Sequence, residues 1–452
     1  MSKTPANPKG TRDFLPSNLS KRSYIIDIIK KNFLLFGFLH IETPALEKNS
    51  TLLGKYGNEG DRLIFKILNS GEKLKKANIN AIKKHDLSEF ANSISEKGLR
   101  YDLTVPLARF VAQHQNDLIF PFKRFQIQNV WRADRPQYGR FQEFTQCDAD
   151  IIGNNSILQE IELIKLYDTV FSELGFDNII FKINHRGILN ALANYIGLGD
   201  KLTDFISIID KIDKIGVNKV MDELNKIIDS SSVSKLTSLL EKGKESIEKL
   251  KILFKESDEG QKGIEEINTI IEFISGDNNI NNEIEFDLTL ARGLNYYTGT
   301  IIEVNLKSNS SIGSLGGGGR YDELTSFFNL KNMSGVGISF GLDRIYLQME
   351  EQNMFPKHLD YNFDIIVINF GINYMKKLYP LIENLRKDGK KIDIYPDEIK
   401  LNKQFSYANK HNVKYAIIMG ENEFKNNQVV IKNMIDGSQA NYSIEEVNSK
   451  LF

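Results

Sequence analysis

The chain has 452 residues, 41% hydrophobic and 26% charged, which suggests two or three domains with ordinary globular cores. A formal net charge of -1 argues against a protein that coats nucleic acid through overall charge, while leaving room for local basic patches. The single cysteine, Cys147, excludes an internal disulfide and fits a reducing compartment, so a cytoplasmic protein is expected.

The N-terminal stretch MSKTPANPKGTRDFLP lacks the apolar core of a signal peptide, and no apolar run approaches the roughly 18 residues of a membrane span. Residues 19–36 place Ile25, Ile26, Ile29 and Phe33 at helical spacing, with Gly37 as a stop. FLHIETPALE follows as an extended run broken by Pro44, and the lysine-rich stretch 68–98 reads as a surface insertion. Residues 118–153 read as strand, loop and strand: FKRFQIQNVW, RADRPQYGRF, then QEFTQCDADIIG. From 201 to 275 the chain is rich in Lys, Glu, Ile and Leu. Leu236, Leu239, Leu240, Ile247, Leu250 and Leu253 recur at three- and four-residue steps, as do Ile264, Ile267, Ile270, Ile271 and Ile274. That pattern predicts amphipathic helices in an insertion spanning 191–283, with the charges on a solvated face. Residues 284–345 return to short strands and glycine-rich turns. Beyond a polar stretch, FDIIVINF, KIDIYP, YAIIMG and QVVIKNM alternate with helical segments at 374–388 and 401–411, predicting an α/β domain over 363–452.

Four clusters carry candidate chemistry. In RYDLTVPLAR, Asp102 and Thr104 share one face if the run is extended, and a carboxylate beside a hydroxyl can hold an ammonium group. A strand end with a turn at Pro106 is the alternative. In WRADRPQYGRFQEFTQCDAD, Arg132, Arg135 and Arg140 surround a turn with Pro136 and Gly139, and arginine forks suit phosphate oxygens. Gln146, Asp148 and Asp150 then alternate with Cys147 and Ala149, so a strand would carry a polar face unlike a dry core, fit for a small polar substrate. A solvated hairpin is the alternative, disfavoured by the apolar flanks. LARGLNYYTGTIIEV sets Arg292 beside glycine and the pair Tyr296 and Tyr297. The fourth cluster pairs LGGGGRYDEL with GVGISFGLDRI, in which Arg344 follows a strand-to-helix transition. The glycines match neither the dinucleotide-binding nor the P-loop spacing. No two of the six histidines sit at metal-binding helical spacing, and no Ser-His or Cys-His pair suggests a nucleophile.

At these clusters the sequence resembles the class II aminoacyl-tRNA synthetases, and among them the histidyl-tRNA synthetase family. The likeness runs from KGTRDFLP through IETPALE (motif one), WRADRPQYGRFQEF (motif two) and GVGISFGLDRI (motif three) into the C-terminal domain. LRYDLTVP, ARGLNYYTGTIIE and GGGGRYDEL are its most specific parts. The resemblance implies an α+β architecture. Its catalytic domain is an antiparallel sheet flanked by helices, in two parts at 1–190 and 284–352. The helical insertion lies at 191–283, and an anticodon-binding α/β domain occupies 363–452. It implies ATP-dependent activation of L-histidine with Mg2+, transfer of histidine to its tRNA, and a homodimer with a motif-one contact near Pro44.

By the same resemblance, Arg132 would bind the α-phosphate and the substrate carboxylate. Asp134, Arg140, Phe144 and Arg344 would serve ATP, with adenine between Phe144 and Arg344. Arg292 matches the family's catalytic arginine and would also contact histidine. Asp102, Thr104 and Gln146 would hold the amino group. Asp150 and Tyr297 would read the imidazole, with Tyr296 beside them. Two positions depart from the common family form: Asn295 stands where Asp is usual, and Asp134 where Glu is common. The alternative is a catalytically silent regulatory relative on the same fold, which would lack the anticodon-binding domain and the arginines of the ATP site.

Overall fold

The computed structural model describes residues 5–237, 239, 244–291, 297–308, 312–361, 363–447 and 449. The chain packs as two units, one formed by residues through Asp13 with Tyr24–Gln352, the other by Phe14–Ser23 with the chain from Asn353 onward.

The first unit is built on an eight-stranded sheet. Its strands run in the order Leu39–His40, Phe122–Trp131, Glu143–Ile152, Gly335–Gly341, Gly316–Arg320, Thr300–Leu306, Ile179–His185 and Glu283–Phe286. The five interior pairings are antiparallel and the two outermost are parallel. Two ten-residue strands, Phe122–Trp131 and Glu143–Ile152, form the longest ladder, from Phe122 opposite Ile152 to Trp131 opposite Glu143.

Alternation gives this ladder two unlike faces. On one face Phe125 stands opposite Ala149, while Ile127 and Phe340 flank Cys147. The helix Pro16–Leu35 lays Ile25, Ile29 and Phe33 on that face, all fully buried. Phe33 lies 5.2 Å from Phe125 and 5.8 Å from Phe340 between ring centroids. The helix Leu158–Glu173 adds Tyr167, edge-on to Phe340 at 4.6 Å. Its hydroxyl lies 2.8 Å from the Ser339 carbonyl oxygen and 3.0 Å from that of Gly317, which ties the helix to two central strands. The other face carries the polar residues and becomes the site.

RYDLTVPLAR is not extended. The chain leaves the short strand Lys97–Leu99 and enters the helix Thr104–His114. Pro106 lies in its first turn, where a missing N–H costs nothing. Asp102 accepts a hydrogen bond from the Val105 amide at 3.2 Å, so it caps the helix rather than sharing a strand face with Thr104. The stretch 68–98 holds three short helical segments, Gly71–Lys76, Ile79–Lys83 and Leu87–Ser93, largely exposed.

The Leu and Ile steps of 201–275 fall on several helices. Of the first series Leu236 lies on Ser230–Thr237 and Ile247, Leu250 and Leu253 on Lys244–Leu253, while Leu239 is in a turn and Leu240 lies outside the described residues. The second lies on Asp258–Ser275, where Ile264, Ile267, Ile270, Ile271 and Ile274 are all buried.

In the second unit a five-stranded sheet runs Ile392–Ile394, Ile365–Val367, Tyr415–Ile418, Gln428–Asn433, Gln439–Ser443, parallel for the first two pairings and antiparallel for the rest. The helix Ile372–Lys387 buries Leu378, Ile382 and Leu385 against Ile365, Val367 and Val429. Among the described residues no helix is long and apolar enough to cross a membrane.

Candidate active site

Register assembles the polar face. Across three neighbouring strands, Arg124 stands opposite Asp150, which stands opposite Gly337. One pleat along, Gln126, Asp148 and Ser339 form the next row, and then Gln128, Gln146 and Gly341. A buried floor of amides and charges thus runs through the middle of the sheet. It is drier than alternation alone implies: Arg124 and Gln126 are fully buried, and Asp148 and Asp150 are each 2% exposed.

Asp150 is held from two sides. The Arg124 guanidinium lies 2.7 Å from Oδ2, and the Tyr321 hydroxyl donates a short hydrogen bond to Oδ1. Gln146 donates to the Ser339 hydroxyl at 3.1 Å, and its own buried Oε1 has no hydrogen-bond partner. Asp102 accepts from the Tyr56 hydroxyl at 2.8 Å. Burial pushes the Asp148 and Asp150 carboxyls above the ordinary aspartate range, while Arg124 pulls both down. Asp148 is pushed up to about 7, the Asp150 charge adding to the effect of burial. Tyr297 is raised by burial and then by the charges of Asp150, Asp148 and Asp102, which places its phenol within the field of all three carboxylates.

Above this floor opens a cleft of about 270 Å³. Arg132, Asp134, Arg140, Phe144 and Arg344 all line it, and Gln146 stands at its base with Ser339. Arg132 follows directly from the strand Phe122–Trp131. Its Nε donates to the Tyr101 carbonyl at 3.1 Å, and its guanidinium carbon lies 4.3 Å from the Tyr101 ring centroid and 5.1 Å from that of Phe144. Arg344, in the first turn of the helix Leu342–Glu351, donates to the carbonyls of Gly139 at 3.2 Å and Ser314 at 2.9 Å. Arg140 is exposed and only loosely paired with Asp134 at 3.9 Å. Thr104 opens its helix half-buried. Arg292 and Tyr296, together with Asn295, lie outside the described residues.

The structure therefore brings the expected ATP residues to one cleft, and Asp150, Gln146 and Tyr297 to the floor beneath it. It adds side chains that the sequence reading did not single out: Arg124, Tyr321, Tyr56, Ser339 and Glu303. Arg124, Gln126 and Gln128 alternate within FKRFQIQNVW just as Gln146, Asp148 and Asp150 do one strand away, so a period-two reading could have found them. Glu303 lines the cleft beside Gly316 and Gly317 and accepts from the Asn305 amide at 3.0 Å.

Among the described residues no group of three or more His, Cys, Asp or Glu side chains forms a metal cage. Glu303 and Asp134 do open onto the cleft as hard oxygen donors. That fits Mg2+, which takes one or two carboxylates and completes its shell with water and substrate phosphate.

Comparison with known proteins gives a consistent result. A family model described as histidyl-tRNA synthetase matches residues 87–345, and one described as an anticodon binding domain matches 364–451. The histidine--tRNA ligase of Christiangramia forsetii is 49% identical, covering 100% of both chains, and that of Flavobacterium johnsoniae is 47% identical, also covering 100% of both. A crystal structure of histidyl-tRNA synthetase from a Nostoc species matches with a TM-score of 0.82 at 28% identity, covering 99% of each chain. A Bacillus halodurans structure, titled as an ATP phosphoribosyltransferase regulatory subunit/histidyl-tRNA synthetase, matches with a TM-score of 0.70 at 22% identity over 89% of this chain, a likeness of fold. With full-length relatives at this identity, an anticodon-binding match and the arginines Arg132, Arg140 and Arg344 in one cleft, the chain belongs to the histidyl-tRNA synthetase family.

Proposed function

We propose that this protein activates L-histidine with ATP and transfers it to the terminal ribose of its tRNA. The observation that carries this reading is the buried floor. Three carboxylates, Asp102, Asp148 and Asp150, share the field of Tyr297, while Arg124 is the guanidinium paired with Asp150. A floor of three carboxyl groups against one guanidinium suits the ammonium group and the ring N–H of an incoming histidine, whose charge would draw the carboxyls to their ionised form. Asp102, Thr104 and Gln146 hold the ammonium, the buried Oε1 of Gln146 gaining a partner. Asp150 and Tyr297 engage the two ring nitrogens, with Tyr296 beside them. A ligand without the imidazole leaves Asp150 without its substrate partner in a dry site, which is an effective ground for rejection.

The histidine carboxylate then points into the cleft. In the first step its oxygen attacks the α-phosphorus of ATP, the bond to the bridging oxygen breaks, and pyrophosphate leaves. Charge builds on phosphate oxygens, so fixed guanidinium groups lower the barrier. Arg132 holds the carboxylate and the α-phosphate together, and Arg292 is assigned the facing role from the family likeness. Arg140 and Asp134 hold the ribose and phosphates, and adenine lies between Phe144 and Arg344. Glu303 and Asp134, which line the cleft, would hold Mg2+ there, and the ion would supply further neutralisation of phosphate charge. In the second step the tRNA ribose hydroxyl attacks the activated carbonyl and AMP leaves, the hydroxyl proton being lost.

The domains at 191–283 and 363–452 are assigned to contact with tRNA, the latter to its anticodon arm. A cytoplasmic homodimer completes the proposal, supported by Leu34, Leu35, Leu39 and Leu46, which are exposed around the motif-one segment. The function is tested by charging unfractionated tRNA with labelled amino acids. Histidine is expected to become acid-precipitable and the other nineteen to remain at background; charging with another amino acid overturns the imidazole assignment.

A further inference from the structure

The N-terminal segment before Asp13 is not used by the chemistry above, yet it reaches the same cleft. Its backbone is tied to the motif-two hairpin: the Gln142 amide donates to the Gly10 carbonyl at 2.9 Å, and the Gln142 carbonyl accepts from the Arg132 amide at 2.9 Å. The approach requires glycine. Gly10 has φ +83°, and a Cβ there would lie 2.7 Å from Gln142 Cγ and 2.9 Å from Pro136 Cγ. Two residues on, Arg12 is positioned to bridge two walls of the cleft. Its guanidinium makes a short ion pair with Asp343, whose side chain is 5% exposed, and its Cζ sits 3.3 Å from the Phe141 ring centroid.

Phe141 and Asp343 both line the cleft; Arg12 does not. Phe141 follows Arg140 on the motif-two hairpin. Asp343 precedes Arg344 in the first turn of the helix Leu342–Glu351, and its Oδ2 accepts from the Thr145 amide at 3.3 Å. One guanidinium thus joins the wall bearing Arg140 and Phe144 to the wall bearing Arg344. A planar fork does this where an ammonium cannot, because the edge pairs with a carboxylate while the face stacks on a ring.

We propose that Arg12 is a positioning residue for ATP: it fixes the spacing between the Phe141–Phe144 hairpin and the Asp343–Arg344 turn, and so the width of the slot that takes the nucleotide. This rests on the reading of the cleft as the ATP site. It places the segment KGTRD among the determinants of nucleotide affinity, although none of its side chains lines the cleft.

The test is histidine-dependent ATP–pyrophosphate exchange with Arg12→Met and Arg12→Lys, alongside histidine binding by calorimetry without ATP, and thermal unfolding. For Arg12→Met the KM for ATP is expected to rise about tenfold or more, equivalent to about 1.4 kcal/mol. Histidine affinity should stay near that of the parent, while the unfolding temperature falls because Asp343 loses its ion-pair partner. Arg12→Lys keeps the charge opposite Asp343 but loses the stack on Phe141, so its KM for ATP should fall between the two. An unchanged KM for ATP in Arg12→Met overturns the proposal. So does a matching loss of histidine affinity, which marks a merely structural residue. Absence of exchange in the parent protein is a different failure, one of the activity itself.

Discussion

At the scale of single residues, charge and burial are set against each other at the floor of the site. Asp148 binds its proton more tightly in the folded chain than in the unfolded one, because burial disfavours the carboxylate. It therefore adds stability below the ordinary aspartate range, and that contribution is lost as pH rises through about 7. Asp148→Asn removes the titration. In urea unfolding of the ligand-free protein, the variant should gain stability relative to the parent between about pH 5 and about pH 7.5. Parallel pH profiles would exclude Asp148 as the group responsible. The even-numbered polar face of QEFTQCDADIIG was readable from alternation alone. Its partners were not: Arg124 follows the same alternation on FKRFQIQNVW, but only strand order makes the two faces one. Tyr321 is 171 residues from Asp150 in the chain and arrives by tertiary folding, which leaves no local trace in the sequence.

At the scale of elements, strand register gives glycine a specific task. Gly337 stands opposite Asp150 on the strand Gly335–Gly341, where a Cβ would lie 2.5 Å from the Asp150 carboxyl carbon and 3.2 Å from the Ala149 carbonyl oxygen. Asp150 has little freedom to yield, being held by Arg124 and Tyr321. Overpacking of this kind costs about 1–3 kcal/mol, so Gly337→Ala should lose stability on that order and raise the KM for histidine about tenfold. The KM for ATP should change little, since the proposed ATP residues line the cleft and Gly337 does not. Comparable rises in both constants would show that the substitution disturbs the whole sheet instead. GVGISFGLDRI reads plainly as a strand and a helix. RYDLTVPLAR does not, because Thr104, Val105 and Pro106 resemble a strand end. In the fold the Asp102 carboxylate accepts from the Val105 amide at the start of that helix, which supports a helix start among residues of weak helical preference.

At the scale of the molecule, hydrophobic patterning pauses over 350–362 and resumes as strands alternating with helices, which set the expectation of a separate domain over 363–452. Nothing in the sequence groups Phe14–Ser23 with the chain from Asn353 onward, since the helical spacing of 19–36 is continuous and marks no break. The resemblance to a family, carried by LRYDLTVP, ARGLNYYTGTIIE and GGGGRYDEL, supplied roles that spacing could not, and the cleft gathers Arg132, Asp134, Arg140, Phe144 and Arg344 from segments far apart in the chain. The proposed first half-reaction involves histidine and ATP alone, so it can be measured without tRNA. The most direct measurement is ATP–pyrophosphate exchange on the full-length protein with each of the twenty amino acids in turn. Exchange stimulated by histidine alone is predicted. Exchange with a different amino acid, or none at all from a folded protein that still binds histidine, would contradict the assignment of this site to histidine activation.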